Sequence, residues 1–268
     1  MMLRHFIDQM HRPVLLEYPP RRIVSLVPSQ TELLYNLGLR EEVVGITKFC
    51  IHPESWFRSK TRVGGTKNVH FERITALDPD LIIGNKEENT RTDIEQLAQQ
   101  YPVWMSDIYT LDDALRMIRE VGALVGRAEV AQRMAAAIAE DFVPLQWPMN
   151  AVQPRAAYFI WRKPYMVAAT NTFINEMLQR AGFVNVFAHR QRYPEVTFDE
   201  LTAARPDVVL LSSEPYPFQE KHFAEIRQVC PAAVIKIVDG TLFSWYGSRL
   251  SQSAAYFQQL QAEIRKSE

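Results

Sequence analysis

The chain has little of what nucleotide-binding, redox and membrane-spanning folds need. Glycine fills only 10 of 268 positions, about half its usual share of roughly 7%. Neither the dinucleotide fingerprint GxGxxG nor the phosphate-binding P-loop pattern occurs, so a glycine-rich phosphate cradle is not expected. There are two cysteines, Cys50 and Cys230, far apart and in no CxxC, which argues against a zinc ribbon or a redox pair. Thirty basic residues against thirty-one acidic ones give a net charge of −1. A dedicated nucleic-acid binder would carry a clear basic excess. No apolar run approaches the roughly 18 residues that a spanning helix needs. Met1 to Arg22 does not read as a signal peptide, because His5, Asp8, His11 and Arg12 interrupt it. The expectation is a cytoplasmic chain or one whose leader has been removed.

The positive signals are strands alternating with helices. Ile23–Val27 reads as a buried strand. Ser29-Gln30-Thr31-Glu32 reads as a capping box opening a helix that Gly38 closes. Val43–Ile46, Leu81–Ile83 and Val103–Met105 read as strands, with helices at Phe71–Leu77 and over 90–100. From Leu111 to about Gln146 the apolar spacing is helical throughout, which predicts one helix, a break near Gly122–Gly126 and a helix of about 20 residues. Strand signals return at Ala157–Trp161, Met166–Ala168, Val208–Leu211 and Val234–Val238. Helices are expected over Asn171–Ala181 and Ser251–Lys266.

The chain also repeats itself. FDELTAARPDVVLLSSE (198–214) matches FERITALDPDLIIGNKE (71–87) without gaps at an offset of 127, with six identical positions. NEMLQRAG (175–182) matches TELLYNLG (31–38) at a larger offset. The difference implies about 17 extra residues early in the second half, read as a hairpin around Arg162–Tyr165. The fold class is therefore α/β: two similar parallel-sheet lobes bridged by one long helix. The expected boundaries are an N-terminal lobe over 1–122, a bridging helix over 123–150 and a C-terminal lobe over 151–268.

Ligands of open parallel sheets bind outside the carboxyl ends of the strands. The loops expected there carry Thr47-Lys48-Phe49, Lys67, Asn68, Lys86, Glu87 and Glu88 in the first lobe. In the second they carry Trp161, Arg162, Glu214, Tyr216, Trp245, Tyr246 and Arg249. Such a set of aromatic and basic side chains suits a large, partly anionic ligand in an interlobe cleft. A bare-metal site is the first rival. Its only local candidates are His52 and Cys50 in CIHP (50–53), since His5, His11, His70, His189 and His222 are scattered. An enzyme is the second rival, through paired carboxylates among Glu87, Glu88 and Glu214, but no nucleophile-elbow or zinc-protease motif accompanies them. No catalytic residue is assigned.

RIVSLVPSQTELLYNLGL (22–39), FERITALDPDLII (71–83) and FINEMLQRAGFVNVF (173–187) resemble the periplasmic substrate-binding proteins of cobalamin and iron-chelate ABC importers. The resemblance covers nearly the whole chain in order. It implies a two-lobed receptor, monomeric, with no intrinsic cofactor, binding cobalamin, a ferric siderophore or haem. It also implies an ABC permease as partner and a periplasmic or membrane-anchored location. The alternative is a cytoplasmic relative that binds or senses the chelate without transport. Trp161, Trp245 and Tyr246 would then pack on the ligand, while Lys67, Lys86, Arg162 and Arg249 meet its polar periphery. The family docks through one acid on each lobe, positions matched here by Glu72 and by Asp199, with Glu200 adjacent.

Overall fold

A computed structural model of the chain describes residues 2–145 and 152–266. The chain divides into two compact units. The first comprises the residues up to Ile108, then Asp112–Ile138 and Tyr246–Arg249. Its sheet contains β3 (Ile23–Ser25), β4 (Val43–Ile46), β5 (Thr61–Arg62), β6 (Leu81–Asn85) and β7 (Val103–Ser106), all parallel, in the order β5-β4-β3-β6-β7. Every residue of β3, β6 and β7 is buried. That is the signature of strands covered on both faces, and it explains why they read as continuous apolar runs. Helices α1 (Pro28–Asn36), α2 (Glu54–Ser59), α3 (Phe71–Leu77) and α4 (Arg91–Leu97) connect them.

Two features of this unit depart from the sequence reading. A hairpin of β1 (Met2–Ile7) and β2 (Pro13–Tyr18) precedes the sheet. The alternation of buried Val14 and Leu16 with exposed Leu15 and Glu17 marks it. So does the turn chemistry of Asp8, whose carboxylate accepts the backbone N–H of Met10 at 2.9 Å and of Arg12 at 2.8 Å. The second departure is the capping box at Ser29. Helix α1 starts at Pro28, whose fixed φ suits the first helical position, and Val27 occupies the cap without a side-chain bond. Ser29 thus falls inside the first turn, and Glu32 is free to pair elsewhere. Gly38, at φ +90, does close the helix as expected.

Helices α5 (Leu111–Leu124) and α6 (Ala128–Phe142) follow, separated by Gly126 at φ +74. α6 has 15 residues, then a 3-10 turn at Val143–Leu145, so it is shorter than the expected 20 or so. Residues 146–150 of the predicted bridge lie outside the described residues. Residues of α6 up to Ile138 cluster with the first unit and those from Ala139 with the second. The two helices meet at Gly122, where an added Cβ would stand 2.1 Å from the Cβ of Ala131. Gly122→Ala is therefore expected to lower stability by about 1–3 kcal/mol through overpacking, despite alanine's better helix propensity. Urea unfolding of the variant checks it, and a stabilised protein would show that the crossing can relax.

The second unit holds β8 (Arg155–Trp161), β9 (Met166–Val167), β10 (Val184–Asn185), β11 (Val208–Ser212) and β12 (Val234–Val238). Its parallel order is β10-β8-β11-β12, with β9 antiparallel to β8. This matches β4-β3-β6-β7 of the first unit strand for strand. The extra β8–β9 hairpin turns at Arg162–Tyr165, where the offset change places it. Helices α7 (Phe173–Arg180), α8 (Phe198–Ala204), α9 (Phe223–Val229), α10 (Thr241–Ser244) and α11 (Leu250–Arg265) complete the unit.

The repeat extends to hydrogen bonds. α3 ends at Asp78 with φ 44 and α8 at Arg205 with φ 47, both left-handed. Asp80 accepts the backbone N–H of Arg22 at 2.9 Å, and Asp207 that of Arg155 at 2.7 Å. The two guanidinium groups then cap the last carbonyls of α3 and α8, at Leu77 and Ala204. The two lobes are thus built on one parallel-sheet plan.

Candidate functional site

At the strand ends of the first unit, the loop after β4 turns back through Thr47, whose carbonyl accepts Cys50 N–H at 3.1 Å. This lifts Phe49 and Ile51 to the surface, each 50% exposed, where most large apolar residues of the unit are buried. The Phe49 ring lies against Gly65, and the Lys48 ammonium sits 5.0 Å from its centroid. Cys50 points inward, bonded to the hydroxyls of Thr31 and Thr47 at 3.1 Å each, and burial pushes its thiol pKa up. His52, the other residue of that weak metal candidate, is half-buried. No group of three or more metal-ligating side chains exists among the described residues.

After β6, Asn85 organises the turn: its side-chain oxygen accepts the backbone N–H groups of Glu87 and Glu88 at 2.8 and 3.0 Å. Lys86 reaches Asp107 at 2.6 Å, and the Lys67 ammonium donates to the carbonyl of Glu87. Asn68 is exposed beside it. Asp107 is a partner that the sequence reading did not identify, because the contact joins loops on two strands.

Arg249 is also in the first unit, and it does not face outward. Its guanidinium forks onto Glu32 of α1, with Nε 2.9 Å from Oε2 and Nη2 2.6 Å from Oε1; both side chains are largely buried. Tyr246 is buried as well.

The second unit presents Trp161, 40% exposed at the end of β8, with Tyr216 set edge-on to it at 5.8 Å between centroids. Arg162, the next residue, is taken by Glu225 of α9 through two bonds of 3.1 and 2.5 Å. Trp245 is only 7% exposed. Its indole N–H donates to Glu214 Oε1 at 2.9 Å, an oxygen that Ser244 O–H also reaches at 2.8 Å. Trp245 and Glu214 thus hold each other inside the fold, and Trp245, Tyr246 and Arg249, which the sequence offered as ligand contacts, are all largely buried. Trp161 is exposed and Tyr216 half-buried at the strand ends of the second unit, and Phe49, named in its loop but left out of the ligand set, is exposed at those of the first. Its signal was available: an aromatic three residues past the end of a largely buried strand.

The candidate docking acids differ in their contacts. Glu72 and Asp199 are the second residues of α3 and α8, equivalent in the repeat, exposed, and without a side-chain bond among the described residues. Glu200 instead completes a capping box. Its carboxylate accepts Thr197 N–H at 2.7 Å and pairs with Arg190 at 2.9 Å, which lowers its pKa. No helix among the described residues is long and apolar enough to cross a membrane.

Comparison with known proteins gives consistent results. The vitamin B12-binding protein of Vibrio campbellii is 27% identical over 198 residues, covering 72% of this chain and 71% of that protein. The periplasmic vitamin B12-binding protein of Vibrio cholerae has the same fold, with a TM-score of 0.78 at 22% identity, over 92% of this chain and 99% of that one. The periplasmic heme-binding protein RhuT from Roseiflexus sp. RS-1 does too, at 0.80 and 23%, over 91% and 98%. The sequence resemblance is borne out. The periplasmic binding protein family matches residues 23–228, more than three quarters of the chain, and the chain belongs to that family.

Proposed function

We propose that this chain is the solute-binding component of an ABC importer, and that it takes cobalamin in preference to an iron chelate bearing free carboxylates. The observation that carries the preference is the pairing of the strand-end cations. Lys86, Arg162 and Arg249 are each held by a carboxylate of the chain, at 2.6, 2.5 and 2.6 Å. These loops expose two large aromatic rings, Phe49 and Trp161, with half-buried Tyr216 beside the latter, alongside Lys48 and Lys67, which contact the Phe49 ring and the carbonyl of Glu87. Flat apolar rings with paired charges suit a large macrocycle with an amide-rich, uncharged rim. A propionate or other carboxylate would find three of the strand-end cations already occupied by carboxylates of the chain. The names of the vitamin B12-binding relatives support the same reading.

Visible absorption of the purified protein, titrated with cyanocobalamin, hemin and a ferric siderophore, tests this directly. Cyanocobalamin should bind most tightly and be recovered unchanged after denaturation, as befits a binding protein without turnover. Tighter binding of hemin or the siderophore would sink the charge argument, and no binding of any would sink the chelate reading. Glu72 and Asp199 are the proposed docking acids for the permease, which places the working protein outside the cytoplasmic membrane.

A further inference from the structure

Glu225 lies on α9, outside every strand-end loop, yet its carboxylate reaches 63 residues back along the chain to the β8–β9 turn. Oε2 accepts Arg162 Nε–H at 3.1 Å, Oε1 accepts Nη2–H at 2.5 Å, and the Tyr165 O–H donates to Oε2. Arg162 and Tyr165 bound the turn, so one carboxylate holds both of its ends. The Tyr165 ring is itself wedged edge-on against Phe159 of β8 at 5.6 Å and tilted against Phe198 at 5.2 Å. Trp161, immediately before Arg162, has its backbone held by this arrangement and its ring set edge-on to Tyr216. On its other side stands Tyr216, backed by Phe218 at 4.7 Å and His222 at 5.6 Å. His222 is buried. Its Nδ1 accepts the backbone N–H of Gln219 at 2.9 Å, so the neutral ring carries its proton on Nε2, 3.4 Å from the Tyr216 hydroxyl.

We propose that Glu225 is a positioning residue for solute binding: by locking the Arg162–Tyr165 turn it fixes the exposed face of Trp161 against Tyr216. The proposal rests on the reading of Trp161 as a solute contact. A large side chain at a binding surface contributes most when its supporting residues leave it one orientation. An ion pair that merely stabilised the turn would leave solute affinity and the emission of Trp161 unchanged, and those two readouts separate the roles.

His222 is held below its ordinary pKa by burial first, then by Arg162 and Lys221, while Glu225 pulls the other way. Those groups and Tyr216 are the ones that face it. Charging His222 would put a proton on Nδ1 and break its bond to Gln219, loosening the backing of Tyr216. Because the folded pKa is depressed, the neutral arrangement is complete above the unfolded value of about 6.5 and is lost as the pH falls through the folded value. Solute affinity should therefore decline on the acid side. Glu225→Gln removes the charge that raises the His222 pKa, leaving the weaker Gln219 backbone bond, and leaves Arg162 uncompensated, so the acid limb moves to lower pH.

The test is cyanocobalamin binding by wild type, Glu225→Ala and the isosteric Glu225→Gln across pH 4–8. Glu225→Ala should weaken binding roughly 10-fold at neutral pH, the lower end of what loss of an outer supporting group costs a site. Glu225→Gln should lose less and shift the acid limb downward. Wild-type affinity in both variants, or an unmoved acid limb, overturns the proposal. If wild type binds no chelate, the functional reading falls, and the positioning is read separately. The emission of Trp161, obtained as wild type minus Trp161→Phe, then shifts in Glu225→Ala if Glu225 sets the ring, and stays in place if it does not.

Discussion

Replacing Glu72 and Asp199 together by alanine is expected to reduce solute uptake to background while leaving solute affinity unchanged. Both acids stand in the first turn of a helix, where the helix dipole favours them by about 0.3–1 kcal/mol each. Their removal therefore costs the fold little. Neither makes a side-chain bond among the described residues, so nothing else in the protein depends on them. Their neighbours are different. Asp80 and Asp207 hold the backbone of Arg22 and Arg155, and Glu200 holds its own cap and Arg190. Two uncommitted acids at equivalent positions of a duplicated fold are what a partner with two equivalent basic patches would meet. Asp199 also borders a groove lined by Thr202, Arg205 and Arg155, so its approach is open. Glu200→Ala gives the contrast. It should lower stability slightly through loss of the cap and leave uptake largely intact. Uptake of labelled cyanocobalamin by cells carrying each variant, beside titration of the purified proteins, decides it. Retained uptake in the double variant removes these acids from docking.

The fold was legible in the sequence because duplication imposes the same local demands twice. A residue that must adopt a left-handed turn after α3 must do so after α8, so Pro79-Asp80 and Pro206-Asp207 stand in register with Asp78 and Arg205. Buried parallel strands announce themselves as unbroken apolar runs, as β6 and β11 do. The N-terminal hairpin escaped notice because β1 buries almost none of its six residues and so carries no clean alternation. The capping box at Ser29 failed because two start signals competed, and proline at the first helical position prevailed.

The candidate site was legible only in part. Trp161 and Trp245 look alike in sequence, each in a loop that also carries an arginine, and only the fold shows that Glu214 consumes the indole N–H of Trp245. The cations misled for the same reason. Arg162 finds its carboxylate 63 residues away and Arg249 finds its own 217 residues away. Pairings at that distance leave no periodic trace, so a loop that reads as basic turns out to be neutralised.

That last pair carries the largest stability effect. Arg249→Ala should destabilise the protein by roughly 3 kcal/mol, the lower end for breaking a buried ion pair. The lower end applies because the side chains of Arg249 and Glu32 remain 13% and 14% exposed. Glu32 would be left largely buried without the two N–H donors that fork onto it, and an uncompensated charge costs more than the intact pair contributes. Neighbouring contacts add to the loss. Ser248 accepts the Asn36 side-chain N–H at 2.7 Å, and Gly247 lies so close to Ser29 that an added Cβ would stand 2.6 Å from its carbonyl oxygen. Tyr246–Arg249 therefore packs on α1 as one piece, with Arg249 as its anchor. Arg249→Lys keeps the charge but cannot reach both carboxylate oxygens at once, so it should recover only part of the loss. Glu32→Met with Arg249→Met should recover most of it, since two apolar side chains need no partner. Urea unfolding of the singles and the double supplies the coupling energy. A cost below about 1 kcal/mol for Arg249→Ala, as exposed pairs give, would mean that solvent reaches this pair freely. Arg249 would then return to the set of cations open to a solute, and the preference for an uncharged chelate would lose one of its three supports.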